Sequence, residues 1–301
     1  VHLHRLAVRH VPRNKVQHTH TVFSSDKFHR LTELLRSTII TVRNFYLAKA
    51  HKTVWDERKP FFITTAMRAE IALLTTIISS PTTFLWETPI RHVISTTYDY
   101  TVPGDACLTG AGAYCDELGF WYYLEWPKSV EQRTLRHINN RSSQLITINS
   151  LEYATIIMSY NAVLDALDLL KVKPPPHPKA LIKCDNTTAD TWTRKIATSS
   201  ATGKRLNRLF CSLLINQSLG IDSAFLPGRE NIVADNISRL KRSLTSLNAL
   251  LQKHPFLASY RRYHPPHELC SKIYNCLTNN SEALPEPLRM KGHFTHANAT
   301  I

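Results

Sequence analysis

Residues 98–127 constrain the fold most, because they have the pattern of three consecutive β-strands with very short links. The segments are Y-T-V-P-G-D-A-C, A-G-A-Y-C-D-E-L and G-F-W-Y-Y-L-E-W, which are rich in aromatic residues. Gly110 and Gly119 are expected in the turns that join them. Strands joined by links this short pair as an antiparallel meander. The sequence therefore predicts a sheet that begins with three neighbouring strands.

Helix and strand patterns alternate along the rest of this region, which indicates an α/β fold with a mixed five-stranded sheet. The further predicted elements are helices over 150–170, from 186 and over 204–219, strands over 180–185 and 221–228, and a final helix over 231–239. The predicted order is βββ-α-β-α-α-β-α. The polar residues 128–147 are expected to form a surface loop.

Charge divides the chain into three parts. Residues 1–97, with 14 Lys/Arg against 6 Asp/Glu, are predicted to form a helical connector. Residues 98–240, with 15 against 14, hold the predicted α/β domain. Residues 241–301, with 8 against 3, are expected to be a basic spacer with one helix over 244–251 and a loose end beyond Leu277. The net charge of +14 favours a polyanionic partner, which the basic flanks would attract.

The sequence predicts an intracellular protein, in cytoplasm or nucleus, with no membrane partner. Its start, V-H-L-H-R-L-A-V-R-H, lacks the apolar centre of a signal peptide. The apolar stretch over residues 71–78 is too short and too rich in threonine to span a bilayer. Six cysteines without C-x-x-C spacing favour a reducing compartment. Because the chain starts at Val1 rather than Met, we expect a fragment of a longer polypeptide.

Four carboxylates are placed as a metal-dependent nuclease requires. Asp105 and Asp185 belong to predicted strands, and Glu152 and Asp235 belong to predicted helices. Hydrolysis of a phosphodiester by two metal ions needs carboxylates that converge from different elements. Mg²⁺ takes oxygen ligands and keeps several waters, and Mn²⁺ accepts the same ligands. The four acids therefore predict a shared site for two Mg²⁺ ions, with Mn²⁺ as the alternative metal.

Each acid also has an ordinary structural explanation. Asp105 follows a glycine and is compatible with a turn, and Asp185 is compatible with an N-cap. Glu152 suits the first turn of a helix, where the dipole favours an acid. Asp235 can pair with Arg239 one turn later. Their joint occurrence in this order of elements favours the metal site over four separate explanations.

The segments around these acids resemble the ribonuclease H domain of retroelement polyproteins. G-D-A-C-L-T-G-A-G-A resembles the first-strand signature of that family, and N-S-L-E-Y-A resembles its helix-borne Glu segment. D-N-T-T-A-D-T-W resembles the segment of its second Asp, and L-P-G-R-E-N-I-V-A-D-N-I-S-R-L resembles its closing stretch. The W-E-T-P-I region resembles the connector after a reverse transcriptase, and L-L-Q-K-H-P-F-L resembles the spacer after the nuclease.

The resemblance implies a ribonuclease H-like fold over residues 98–240. It implies an endonuclease that hydrolyses the RNA strand of RNA–DNA hybrids with two Mg²⁺ ions, beside an upstream reverse transcriptase region of the same polyprotein. Its catalytic and metal-binding residues would be Asp105, Glu152, Asp185 and Asp235. Cys107 stands where the family usually has Ser, and the loop before Asp235 has no His. The chain has no adjacent Asp-Asp pair, so a polymerase site is absent from it.

A basic stretch without acids between Asp190 and Asp222 is the predicted grip on nucleic acid. The residues expected to contact the hybrid are Asn186, Thr187, Arg194, Lys195, Lys204, Arg205, Arg208 and Arg229. Recognition would use minor-groove shape and 2′-hydroxyls. The alternative for the basic residues is a solvated helix face. Three rival functions remain open: an inactive nucleic-acid-binding remnant, a DNA-cleaving integrase or resolvase of the same fold, and a structural connector.

Overall fold

The computed structural model of this 301-residue chain describes Arg68 and the ranges 97–140, 146–169, 173–195, 198–214, 217–241, 243–278 and 290–296. The helical connector predicted over residues 1–97 therefore lies outside the described residues, apart from Arg68 and residue 97. The α/β region predicted over residues 98–240 is described almost throughout. So is much of the segment after residue 240, which includes further strands of the same sheet.

A mixed sheet of seven strands forms the centre of the described part, which confirms the predicted α/β class. The strands are β1 (Tyr100–Ala106), β2 (Gly110–Cys115), β3 (Phe120–Glu125), β4 (Lys179–Cys184), β5 (Gly220–Phe225), β6 (Arg261–His264) and β7 (His293–His296). Their order across the sheet is β5-β4-β1-β2-β3-β6-β7. Strands β1, β2 and β3 form the predicted antiparallel meander, and β1, β4 and β5 are parallel.

Seven α-helices lie within the described residues, together with a 3₁₀-helix over Pro255–Ser259. The α-helices are α1 (Lys128–Asn140), α2 (Ile148–Leu169), α3 (Thr187–Lys195), α4 (Ala201–Leu214), α5 (Ile232–Ser238), α6 (Leu244–Lys253) and α7 (His267–Thr278). In the part of the chain that the structure describes, no helix combines the length and the apolar character needed to cross a membrane.

Two hydrophobic clusters cover the sheet. The larger cluster includes residues of α2, α4 and α7, and α2 is buried along most of its length. A helix that is apolar on all sides is stable only when other elements surround it. The smaller cluster joins the Trp121 side of the sheet to α5, α6 and the 3₁₀-helix through Trp121, Ile237, Leu247 and Leu257.

The loop expected over residues 128–147 was a wrong prediction for most of its length, because α1 forms there. This helix is polar except for a narrow stripe, in which Val130 and Thr134 lie one turn apart and are buried. The Thr134 hydroxyl donates to the Val130 carbonyl within the same turn. With so few apolar positions, the sequence of this segment does not show a clear helical periodicity.

The segment after residue 240 was expected to hold one helix and then loose chain, and the structure corrects this expectation. Strand β6 pairs in parallel with β3, and β7 pairs with β6, so the sheet has seven strands instead of five. Tyr263 of β6 is buried and contacts the rings of Phe120 and Phe294. The α/β unit therefore does not end at residue 240. The R-R-Y-H sequence of β6 gave no strand signal, because its apolar content is a single aromatic ring.

Candidate metal centre

Three of the four predicted acids meet at the carboxyl ends of two neighbouring strands. Asp105 is the sixth residue of β1, Asp185 directly follows β4, and Glu152 lies in α2. Because β1 and β4 are parallel neighbours, their carboxyl ends lie at the same edge of the sheet. One ligand oxygen of each acid lies within 4.8 Å of the others. Asp105 and Glu152 are buried, with 4% and 2% exposure, whereas Asp185 is exposed, so the cluster is open on one side.

Glu152 is held in place through one carboxylate oxygen only. Its Oε1 accepts a hydrogen bond from the backbone N–H of Ala106 at 3.1 Å. Its Oε2 is buried and has no hydrogen-bond partner among the described residues. A buried oxygen without a partner costs free energy, so such an atom indicates a missing ligand such as a cation. Because Glu152 is buried, a favourable interaction with the helix dipole does not explain its position.

The cluster is electrostatically unfavourable when all its carboxylates are ionised. The pKa of Asp105 is raised to about 6, chiefly by burial; the Ser238 hydroxyl opposes the rise, and the charges of Asp185 and Asp235 add to it. Burial, then the charges of Asp105 and Asp185, hold the pKa of Glu152 well above its usual range. The pKa of Asp185 is raised by burial and by Asp235. A divalent cation among these groups would offset their repulsion, since opposite charge favours the ionised form.

The fourth acid, Asp235, lies at the margin of this cluster. Its charge acts on both Asp105 and Asp185, but it is not among the three acids whose oxygens converge. Its Oδ1 pairs with Arg239, at 2.6 Å from Nη2 and 2.8 Å from Nε. The ordinary explanation of Asp235 as the partner of Arg239 is therefore confirmed. The pair holds a carboxylate beside the cluster on the exposed side of α5.

Helix α5 reaches the cluster because β2 has glycines where the helix crosses it. A Cβ at Gly112 would lie 2.7 Å from the backbone nitrogen of Ser238 and would also meet Ile237. A Cβ at Gly110 would lie 2.7 Å from the Ser238 carbonyl oxygen. Gly110 and Gly112 belong to β2 itself, so the prediction of Gly110 in a turn was wrong, whereas Gly119, with its φ of 58°, does lie in the turn between β2 and β3. Side chains at these two positions would push α5 away from the sheet.

The close approach of α5 places a buried hydroxyl on Asp105. Asp105 lies opposite Gly112 in the antiparallel pair, and the Ser238 hydroxyl donates to Asp105 Oδ2 at 2.6 Å. The Cys107 thiol in turn donates to the Ser238 carbonyl at 3.2 Å. Ser238 was not among the predicted site residues, although it lies in the A-D-N-I-S-R segment that carried the family resemblance. Its role depends on the register of β1 and β2, which the local sequence does not encode.

The loop between β5 and α5 is fixed to both strands that carry the acids. The N–H of Leu226 donates to the Cys184 carbonyl at 2.8 Å, and the buried Asn231 amide donates to the Gly104 carbonyl at 2.9 Å. A Cβ at Gly228 would lie only 3.1 Å from Asp185 Oδ2. Asn231 is thus a second structural residue of the site that the sequence reading missed. Its position in L-P-G-R-E-N was the available signal.

Asn186 and Thr187 lie where the sequence placed them, directly after Asp185. Asn186 Oδ1 accepts from the N–H groups of Thr188 and Ala189, at 3.0 and 2.9 Å, and its amide donates to Asn149 at 2.8 Å. Asn186 therefore caps α3, and the N-cap explanation for Asp185 is wrong. Asp185 remains the exposed member of the cluster, and Thr187, two positions later, is also exposed.

The basic residues predicted to contact nucleic acid fall into two groups, one covered by α7 and one at least partly in solvent. Arg208 is 7% exposed, and the Arg205 guanidinium donates to the Cys276 carbonyl of α7 at 2.8 Å. These two residues were expected to contact nucleic acid, and the structure corrects this, because they lie against α7. The reason is that α7, which the sequence reading did not predict, covers this side of α4.

Four predicted basic contacts keep at least part of their side chains in solvent. Arg194 and Lys195 are exposed at the end of α3, where Arg194 pairs with Asp190 at 2.8 Å. Lys204 is half-buried, and Arg229 is exposed in the loop beside Gly228. The exposed positive charge near the cluster is therefore smaller than the sequence indicated.

Comparisons with models of protein families, with curated proteins and with solved structures found no match to this chain. Its activity must be inferred from its own residues. Three converging carboxylates, one with an unpartnered oxygen, form a donor set that suits a hard divalent cation such as Mg²⁺.

Proposed function

We propose that the chain is a ribonuclease H-like nuclease that hydrolyses the RNA strand of RNA–DNA hybrids with two Mg²⁺ ions, as part of a retroelement reverse transcriptase polyprotein. The observation that carries the proposal is the acid cluster, in which Asp105, Glu152 and Asp185 converge and Glu152 Oε2 has no partner among the described residues. An oxygen-only donor set at the open end of a sheet suits phosphodiester chemistry more than structural metal binding.

The topology around the site supports the fold assignment. A three-stranded antiparallel meander is followed by helix α2 and by two strands parallel to β1. The acids come from β1, from the end of β4 and from α2, with Asp235 on the final helix of the resemblance. This is the arrangement that the four sequence segments imply. Strands β6 and β7 are an addition at the far edge, beyond β3.

Each residue of the site would have a distinct role in this reaction. Asp105, Glu152 and Asp185 would hold the metal, and Asp235, kept in place by Arg239, would complete the set from its margin. Bound Mg²⁺ supplies an activated water and stabilises the leaving oxygen. Ser238 keeps Asp105 oriented through the 2.6 Å hydrogen bond. The Asn186–Asn149 pair and Thr187 lie next to Asp185, where 2′-hydroxyls of an RNA strand can be recognised.

The direct test is cleavage of an end-labelled RNA–DNA hybrid in Mg²⁺ and in EDTA, beside duplex DNA and duplex RNA of the same sequence. We expect Mg²⁺-dependent cleavage of the RNA strand of the hybrid alone. Asp105→Asn and Asp185→Asn should each abolish it, whereas Asp168→Asn, at an exposed acid near the far end of α2, should not. Circular dichroism would verify that each variant is folded.

The same assay separates the rival functions. Cleavage of duplex DNA without cleavage of the hybrid would favour an integrase-like or resolvase-like enzyme. Binding of the hybrid without cleavage, by folded protein in both Mg²⁺ and Mn²⁺, would favour an inactive remnant. Cleavage that persists in Asp105→Asn or Asp185→Asn would refute the assignment of the acid cluster.

A further inference from the structure

A long segment without acids covers the same side of the sheet as α5. Residues 236–267 contain no Asp or Glu and six Lys or Arg residues. In the described part of this segment, α6, the 3₁₀-helix and β6 follow α5, and Leu247, Leu250 and Leu257 pack with Ile237 against Trp121. Arg239, Lys241 and Lys253 are exposed on this layer. The layer is therefore positively charged and directly adjoins the helix that carries Asp235.

Partly exposed rings lie together on this layer. Phe256 has its ring centroid 5.9 Å from Tyr114, 6.2 Å from His254 and 5.5 Å from Tyr260. We call Tyr114, His254, Phe256 and Tyr260 the aromatic patch. Phe256 is the most exposed member at 38%, and the other three are half-buried. The Tyr260 hydroxyl donates to Asp116, which marks the acidic limit of the patch.

The aromatic patch is linked through one residue of α5 to the neighbourhood of Asp235, at the margin of the acid cluster. Asn236 directly follows Asp235, and its amide nitrogen lies 3.0 Å from His254 Nε2. The Lys253 ammonium donates to Asn236 Oδ1 at 3.1 Å. A path over the protein surface thus runs from Asp235 and Arg239 across Asn236 and Lys253 to Phe256. Beyond Asp235, the side chains named along this path are basic, amide or aromatic.

We propose that a single-stranded nucleic-acid segment leaves the acid cluster along this path, with an unpaired base stacked on Phe256 and its phosphates beside Lys253. The inference rests on the proposed function, because the segment is a continuation of the substrate. Positive charge attracts the phosphates, and aromatic faces accept any unpaired base. The bases of a duplex are already stacked on one another, so the patch fits a single strand and not the hybrid itself.

The first experiment measures binding by the full chain in EDTA, where no cleavage occurs. A labelled oligothymidylate, a blunt hybrid and a hybrid with a single-stranded overhang are each titrated by fluorescence anisotropy. We expect Phe256→Ala to weaken binding of the oligothymidylate and of the overhang hybrid by roughly tenfold, and to leave the blunt hybrid unchanged. The control is Leu135→Ala on α1, because Leu135 has 39% exposure against 38% for Phe256. Equal affinities of Phe256→Ala and wild type for the oligothymidylate would overturn the proposal.

Two further variants separate stacking from general attraction. Lys253→Gln should lower the slope of log affinity against log salt by about one, whereas the exposed Lys128→Gln on α1 should not. Phe256→Trp should retain affinity, and its added fluorescence should be quenched by the oligothymidylate. Absence of that quenching, or an equal loss of blunt-hybrid affinity in Phe256→Ala, would contradict stacking of an unpaired base. Because binding is measured without metal, a failure of the cleavage assay would leave these results unaffected.

Discussion

Asp105→Asn should stabilise the metal-free protein at pH 8, although it removes a residue that we place in the catalytic site. Burial raises the pKa of Asp105 from 3.8 to about 6, with added repulsion from Asp185 and Asp235. A folded-state pKa above the unfolded value means that the ionised form opposes folding. The rise corresponds to about 3 kcal/mol once both states are ionised. Asparagine removes that charge and can still accept the Ser238 hydrogen bond through its amide oxygen.

The expected gain is about 2 kcal/mol, since a buried amide retains part of the desolvation cost. The size of this gain depends on pH in a defined way. Protonation of the folded-state Asp105 restores stability to the wild type as the pH falls below about 6 and towards 3.8. At pH 4.5 the advantage of the variant should therefore shrink to about 1 kcal/mol or less. At pH 8, Mg²⁺ should make the wild type the more stable of the two proteins, because the wild type can bind the ion and the variant has lost a ligand.

Urea denaturation in EDTA at pH 8 and at pH 4.5, followed by circular dichroism, measures both differences. Asp168→Asn, at an exposed acid near the far end of α2, serves as the matched control, and it should change the free energy of unfolding by less than about 0.5 kcal/mol. A variant that is less stable than the wild type at pH 8 would refute the electrostatic reasoning. So would a stability gain that is the same at both pH values.

Three further predictions concern the same site. Ser238→Ala should lower the free energy of unfolding by about 1–3 kcal/mol in urea denaturation, because a buried carboxylate loses its hydroxyl donor, and it should lower Mg²⁺-dependent cleavage. Gly112→Ala should destabilise the protein by about 1–3 kcal/mol or more, because its Cβ would meet the backbone of α5, whereas Gly104→Ala, whose Cβ would make ordinary contacts at 3.4 Å or more, should cost less. Mg²⁺ should raise the thermal unfolding temperature more at pH 8 than at pH 5, because Asp105, with its pKa of about 6, is mostly protonated at pH 5. Equal rises in unfolding temperature at the two pH values would contradict the cluster as the binding site.

The sequence was most informative where the chemistry is local. The meander, the two strands after it, and the positions of Asp105 and Asp185 on strands and of Glu152 on a helix follow from short patterns that each element carries by itself. Contacts between distant elements were not predictable in this way. Ser238 reaches Asp105 only because β2 pairs with β1 in one register and has glycine at position 112. No local pattern specifies that register.

The basic residues on α4 show why charge alone was a poor basis for predicting nucleic-acid contacts. A lysine or arginine in a helix contributes to a binding surface only if no other element covers it. Arg205 and Arg208 were expected to be in solvent because α7 was not expected at all. Once α7 packs on α4, the Arg205 guanidinium satisfies a carbonyl near the end of α7, and Arg208 is buried beside it. These two arginines therefore belong to the contact between α4 and α7.

The segment after residue 240 changes the interpretation of the whole site for the same reason. Leu247, Leu250 and Leu257 cover Ile237 of α5, so the helix that carries Asp235 and Ser238 is fixed between the sheet and this segment. A residue in such a position cannot shift without moving the hydroxyl that holds Asp105. The basic segment that was expected to be a spacer therefore has two connected roles. It supports the geometry of the acid cluster, and it carries Lys253 and Phe256 on the surface along which we propose that a substrate strand leaves.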